Sequence, residues 1–147
     1  MKYYIIAGEA SGDLYGSRLI DEILSIDREA DIRFWGGDKM ILSGGFNVKH
    51  IKELAFMGFY EVLKNIFTIR KNINFCKKDI CDFDPDKIIY IDYPGFNLLI
   101  SKWAKKKGFK NYYYISPQIW AWKENRIKTI KENIDKLYVI FPFEREY

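Results

Sequence analysis

Short apolar runs that break into glycine- or proline-bearing loops, each followed by residues at helical spacing, recur along this chain and constrain its fold more than any other feature. Residues 3–7 form such a run, which breaks into Gly8-Glu9-Ala10-Ser11-Gly12-Asp13 before Leu14, Arg18, Leu19, Ile23 and Ile26 recur with helical periodicity. Residues 32–35 lead through Gly36-Gly37 into a brief helix over 39–42 that Gly44-Gly45 ends, and Phe46–His50 supplies a third strand. Lys87–Ile91 precedes a helix over 96–107 closed by Gly108. Residues 112–115 and 136–140 are further strands, with a basic amphipathic helix over 123–133 between them. Strands alternating with helices predict an α/β fold, a parallel sheet joined by crossover helices. With 147 residues, 48% of them hydrophobic, the chain has material for one domain with a substantial core.

The run Ile88-Ile89-Tyr90-Ile91 stops abruptly at Asp92, followed by Tyr93-Pro94-Gly95-Phe96-Asn97. Pro94 cannot continue a ladder and restricts the residue before it, so a buried strand delivers a carboxylate to its carboxyl end. Ligands bind there in open α/β sheets. On this stretch alone a catalytic Asp92 and an Asp92 that merely caps the next helix weigh about equally. In the first loop, Gly8 and Gly12 are expected to let the backbone approach a ligand, and the N–H groups opening the helix suit a phosphate or a polar sugar group. The plainer alternative is a glycine-rich turn with Ser11 or Asp13 as helix cap. Residues 55–69 carry Phe56, Met57, Phe59, Tyr60, Val62, Leu63, Ile66, Phe67 and Ile69 with few charges, and Arg70, Lys71, Lys77 and Lys78 follow. Burial is the first expectation for such a stripe; a greasy surface meeting acyl chains or a bilayer is the second.

Composition excludes several classes. The net charge of +4 is spread over several helix faces rather than gathered in one tract, and the aromatics fall within strand and helix patterns, so nucleic acid is not an expected partner. Cys76 and Cys81 match no common zinc or redox spacing and His50 is the single histidine, so no metal site is expected. The first residues lack the pattern of a signal peptide, and no apolar run reaches the length of a membrane span. A reducing cytoplasm is the expected location, with contact to a membrane surface allowed.

Five ordered stretches carry a resemblance. They are Ala7 through Asp13; Glu53-Leu54-Ala55-Phe56-Met57-Gly58-Phe59 with Glu61-Val62-Leu63; Ile91 through Asn97; Ser116-Pro117-Gln118-Ile119-Trp120-Ala121-Trp122; and Pro142-Phe143-Glu144. Together they resemble the lipid-A-disaccharide synthase family. The resemblance implies an inverting glycosyltransferase of the GT-B type, needing neither metal nor cofactor, in which two Rossmann-like halves face each other across a cleft. This chain corresponds to the amino-terminal, acceptor-side half, and the carboxy-terminal half that holds most of the UDP-sugar site is expected as its partner. The implied substrates are UDP-2,3-diacylglucosamine and 2,3-diacylglucosamine 1-phosphate, and the implied place is peripheral, on the inner face of the inner membrane. The family's proposed general base falls on Asp92. Glu9, Ser11, Gly12, Asp13, Met57, Gly58, Asn97, Ser116, Gln118, Trp120 and Trp122 fall where substrate binding is implied. Gly95 stands where many relatives carry Asp, so one carboxylate has to suffice.

Two rival functions are weaker. A nucleotide-binding module of an oxidoreductase needs the G-x-G-x-x-G fingerprint, which the first loop lacks. A non-enzymatic lipid-surface module has no use for Asp92 and the Ser-Pro-Gln loop beyond strand ends.

Overall fold

The computed structural model describes residues 1–54, 66–115 and 124–139. The described chain runs β1 (Lys2–Ala7), α1 (Ala10–Ile26), β2 (Asp31–Gly36), α2 (Asp38–Ser43), β3 (Phe46–His50), a 3-10 turn (Ile51–Glu53), α3 (Ile66–Phe83), β4 (Lys87–Ile91), α4 (Pro94–Lys106), β5 (Asn111–Tyr114), α5 (Glu124–Asn133) and β6 (Lys136–Tyr138). The six strands form one sheet in the order β3-β2-β1-β4-β5-β6, and every pairing is parallel. The alternation seen in the sequence is therefore realised as a Rossmann-like sheet. Chain order reverses direction between β1 and β4, which makes the gap beyond their carboxyl ends a topological switch point.

Two cores flank the sheet. On one face Ile5, Ala7, Phe34, Ile89 and Ile91 pack against Ile20 of α1 and Met40 of α2. On the other, Tyr4, Ile6, Trp35, Ile88, Tyr90 and Tyr113 meet Cys76, Ile80 and Phe83 of α3 and Phe96, Ile100 and Ala104 of α4. The central strands are apolar on both faces because both faces are covered, as parallel sheets require. Tyr4 Oη donates to Asp79 Oδ2 at 2.8 Å, Trp35 Nε1 donates to Tyr4 Oη at 2.9 Å, and Arg33 pairs with Asp79 Oδ1 at 2.8 Å. This network pins α3 to β1 and β2.

Some boundaries differ from expectation. α1 begins at Ala10, so Ser11, Gly12 and Asp13 lie in its first turn and not in a loop; Glu9 is the N-cap and makes no side-chain cap bond. α3 runs on to Phe83 beyond the greasy stretch, burying Asn72, Cys76, Ile80 and Phe83 at helical spacing. β6 stops at Tyr138.

Candidate active site at the carboxyl ends of β1 and β4

Asp92 follows β4 directly, and the backbone there is strained. Asp92 and Tyr93 both adopt left-handed conformations, with φ of 43° and 49°. Each costs on the order of 1 kcal/mol for a residue with a side chain, and such strain persists only where the surroundings enforce it. Here they do. The Asp92 carbonyl accepts from Tyr113 Oη at 2.5 Å and from Asn97 Nδ2 at 2.8 Å. Pro94 opens α4, whose N-cap is Tyr93 without a side-chain cap bond. The helix-cap position thus falls on Tyr93, leaving the Asp92 carboxylate to other work.

The half-buried Asp92 carboxyl has its pKa raised by burial, against the opposing pull of the Tyr93 N–H and the positive charge of Arg126. Arg126 comes from α5, on the far side of β5 in sequence. Tyr93, the residue after this carboxylate, lines an open cleft of about 460 Å³ together with Gly8, Glu9, Ala10, Ile51, Lys52 and Leu54. An apolar groove of about 310 Å³ adjoins it through the shared Leu54 and Tyr93, and is lined further by Ile69, Asn72, Ile73, Gly95, Phe96 and Leu99. An open cleft carrying Glu9 and Lys52 and an apolar groove thus meet at Tyr93, next in the chain to a carboxylate with a raised pKa.

The residues singled out in the sequence divide into three groups. Glu9 lines the open cleft and Ser11 is exposed in the first turn of α1. Gly12, Asp13 and Asn97 are buried and spent internally. Gly12 lets α1 approach β1, since a Cβ there would stand 3.1 Å from Ala7 Cβ. A Cβ at Gly8 would meet the Tyr93 ring at 2.4 Å, so Gly8 gives Tyr93 its place in the open cleft that both line, whereas Gly12 serves packing. Asp13 accepts from Gly37 N at 2.9 Å, Met40 N at 3.0 Å and Lys39 N at 3.2 Å, and so caps the start of α2. Asn97 donates to the carbonyls of Ile6, Ile91 and Asp92, fastening β1 and β4 at their ends. Met57, Gly58, Ser116, Gln118, Trp120 and Trp122 lie outside the described residues, as does most of the greasy stretch. Sequence reasoning passed over Tyr113, Arg126 and Lys52. For Tyr113 the signal was strand alternation, which buries Asn111 and Tyr113 and leaves Tyr112 and Tyr114 half-exposed.

A family model described as lipid-A-disaccharide synthetase matches residues 3–147. The lipid-A-disaccharide synthase of Geobacter metallireducens is 45% identical over 140 residues, covering 95% of this chain and 36% of that protein. The lipid-A-disaccharide synthase of Coxiella burnetii is 41% identical over 142 residues, covering 97% of this chain and 38% of that protein. The chain thus spans little more than a third of the length of these relatives. A UDP-GlcNAc 2-epimerase from Neisseria meningitidis, solved with UDP-GlcNAc bound, superposes with a TM-score of 0.58 at 11% identity, over 95% of this chain and 40% of that one. That likeness is one of fold.

Proposed function

The chain belongs to the lipid-A-disaccharide synthetase family, and from that membership we propose that it forms the acceptor-side domain of an inverting glycosyltransferase. The full-length protein would join UDP-2,3-diacylglucosamine to 2,3-diacylglucosamine 1-phosphate, giving lipid A disaccharide 1-phosphate and UDP. The donor nucleotide is held by a carboxy-terminal domain outside these residues. The observation that carries the reading is Asp92, a carboxylate with a burial-raised pKa, left free by the helix cap, at the switch point of the sheet.

The chemistry follows from that placement. The acceptor 6-hydroxyl attacks the anomeric carbon from the face opposite UDP; its proton passes to the Asp92 carboxylate while the bond to UDP breaks and UDP leaves with the electron pair. A raised pKa makes Asp92 a better proton acceptor than an ordinary carboxylate, at the cost of a larger protonated fraction in acid. In this reading Lys52 and the opening of α1 face the sugar and phosphate in the open cleft, and the groove between α3 and α4 receives an acyl chain. Among the described residues no helix is long and apolar enough to cross a membrane. Ile66 and Phe67 are nevertheless exposed at the start of α3, with exposed Arg70 and Lys71 one turn on, a pairing suited to a peripheral place on anionic lipid at the cytoplasmic face of the inner membrane.

The test is turnover by the full-length protein with both lipid substrates in the presence of a chelator. Stoichiometric UDP and disaccharide 1-phosphate are the expected products. Release of UDP without a disaccharide, or a strict metal requirement, would overturn the proposal.

A further inference from the structure

Asp92 and Tyr93 adopt positive φ in succession, and the bulky Tyr93 does not favour that conformation, so something else must hold the turn. Two buried donors converge on the Asp92 carbonyl oxygen: Tyr113 Oη at 2.5 Å and Asn97 Nδ2 at 2.8 Å. Both side chains are fully buried, and they arrive from different elements, β5 and α4. Fixing that carbonyl fixes the peptide plane between Asp92 and Tyr93, and with it the two successive positive φ angles that aim the carboxylate. Asn97 shares its amide among three carbonyls while its own Oδ1, equally buried, has no hydrogen-bond partner among the described residues. Leaving a buried acceptor unpaired is a cost a fold accepts where the geometry held by the donor end matters.

We infer that Tyr113 and Asn97 are positioning residues for the transfer reaction, acting through the Asp92 carbonyl to hold the carboxylate in its reactive orientation. The inference rests on Asp92 being the base, as proposed above. Tyr113 suits the task because burial and the neighbouring Asp92 charge both raise its pKa, keeping the phenol protonated as a donor.

Tyr90 supplies the control. It is fully buried on the same sheet face, its ring 5.7 Å from that of Tyr113, and its hydroxyl donates to Asn111 Oδ1 at 2.9 Å, away from Asp92. Tyr113→Phe, Tyr90→Phe and Asp92→Asn are to be compared in the full-length enzyme, with kcat referred to the folded fraction from near-ultraviolet circular dichroism. Tyr113→Phe should lower kcat about tenfold to a hundredfold with acceptor KM held within about twofold, the signature of lost orientation rather than lost binding. Its acidic pH limb should also move to lower pH, because a released carboxylate turns toward water and its pKa falls back toward the ordinary range. Tyr90→Phe should lower the melting temperature and leave kcat and the pH limb in place. If Tyr113→Phe fails to fold, Asn97→Ser carries the same test through the second donor. Loss of turnover in Asp92→Asn with Tyr113→Phe indistinguishable from Tyr90→Phe would overturn the inference alone. Retained turnover in Asp92→Asn would overturn the assignment of the base and the inference with it.

Discussion

In the role proposed for Asp92 function and stability pull in opposite directions, and the raised pKa states by which sign. A carboxyl whose folded pKa lies above its unfolded value, about 3.9, stabilises the fold fully below that value and loses this contribution as pH rises through the folded pKa. At neutral pH the ionised Asp92 is therefore a net cost. Asp92→Asn should keep or raise the melting temperature at pH 7 while lowering turnover about 10²- to 10⁴-fold, the usual worth of a positioned base. Thermal melts at pH 4 and pH 7 beside kinetics check both halves; a fall in stability at pH 7 with normal turnover would return Asp92 to a structural role. Asp13 is placed for stability by its hydrogen bonds. Its carboxylate satisfies three backbone donors at the start of α2, so Asp13→Ala should cost about 2 kcal/mol, read by urea denaturation. The sequence distinguished these two aspartates poorly. Asp92 was legible because an apolar run stops at it just before Pro94, whereas Asp13 sits in a stretch that reads as a ligand loop until the early start of α1 is known.

Among the elements, the strands were the most legible and α3 the least. Strands buried on both faces leave continuous apolar runs, and β1 and β4 were located within a residue. α3 was obscured because the preceding greasy stretch hides the change to a one-sided helix, in which Asn72, Cys76, Ile80 and Phe83 face inward while Phe67, Arg70 and Lys71 face out. Two substitutions separate its two faces. Asp79→Ala strips the acceptor from the Tyr4 O–H and the ion-pair partner from Arg33, and should cost about 1–3 kcal/mol in denaturant melts, since Trp35 Nε1 still donates to Tyr4 Oη but the buried O–H has lost its acceptor. Phe67 is 80% exposed, so Phe67→Ser should leave the melting temperature within a degree or two while weakening sedimentation with anionic liposomes. Destabilisation without any change in liposome binding would show that Phe67 serves packing rather than lipid.

For the whole molecule, the order β3-β2-β1-β4-β5-β6 decides where chemistry can occur, because only between β1 and β4 do the connecting elements part and leave an opening at the carboxyl edge. Sequence periodicity announced a parallel sheet without giving this order, since strand neighbours depend on which crossover passes over which face. The order brings Glu9 after β1 and Asp92 after β4 to one opening, and β5 brings Tyr113 beneath it. The opening is one-sided: Gly8, Glu9, Lys52 and Tyr93 line a cleft that closes over nothing among the described residues, and the chain spans little more than a third of its relatives' length. Glycosyl transfer needs the donor sugar held in line with the attacking hydroxyl, and that alignment can supply several powers of ten in rate. With the proposed base present and the donor unaligned, the 147-residue chain alone is expected to form no disaccharide from the two lipid substrates. The carboxy-terminal part of the proposed full-length enzyme, expressed separately and mixed with it, should restore turnover that saturates with the concentration of the added part. Turnover by the 147 residues alone, abolished by Asp92→Asn, would instead place a complete donor site within this one domain.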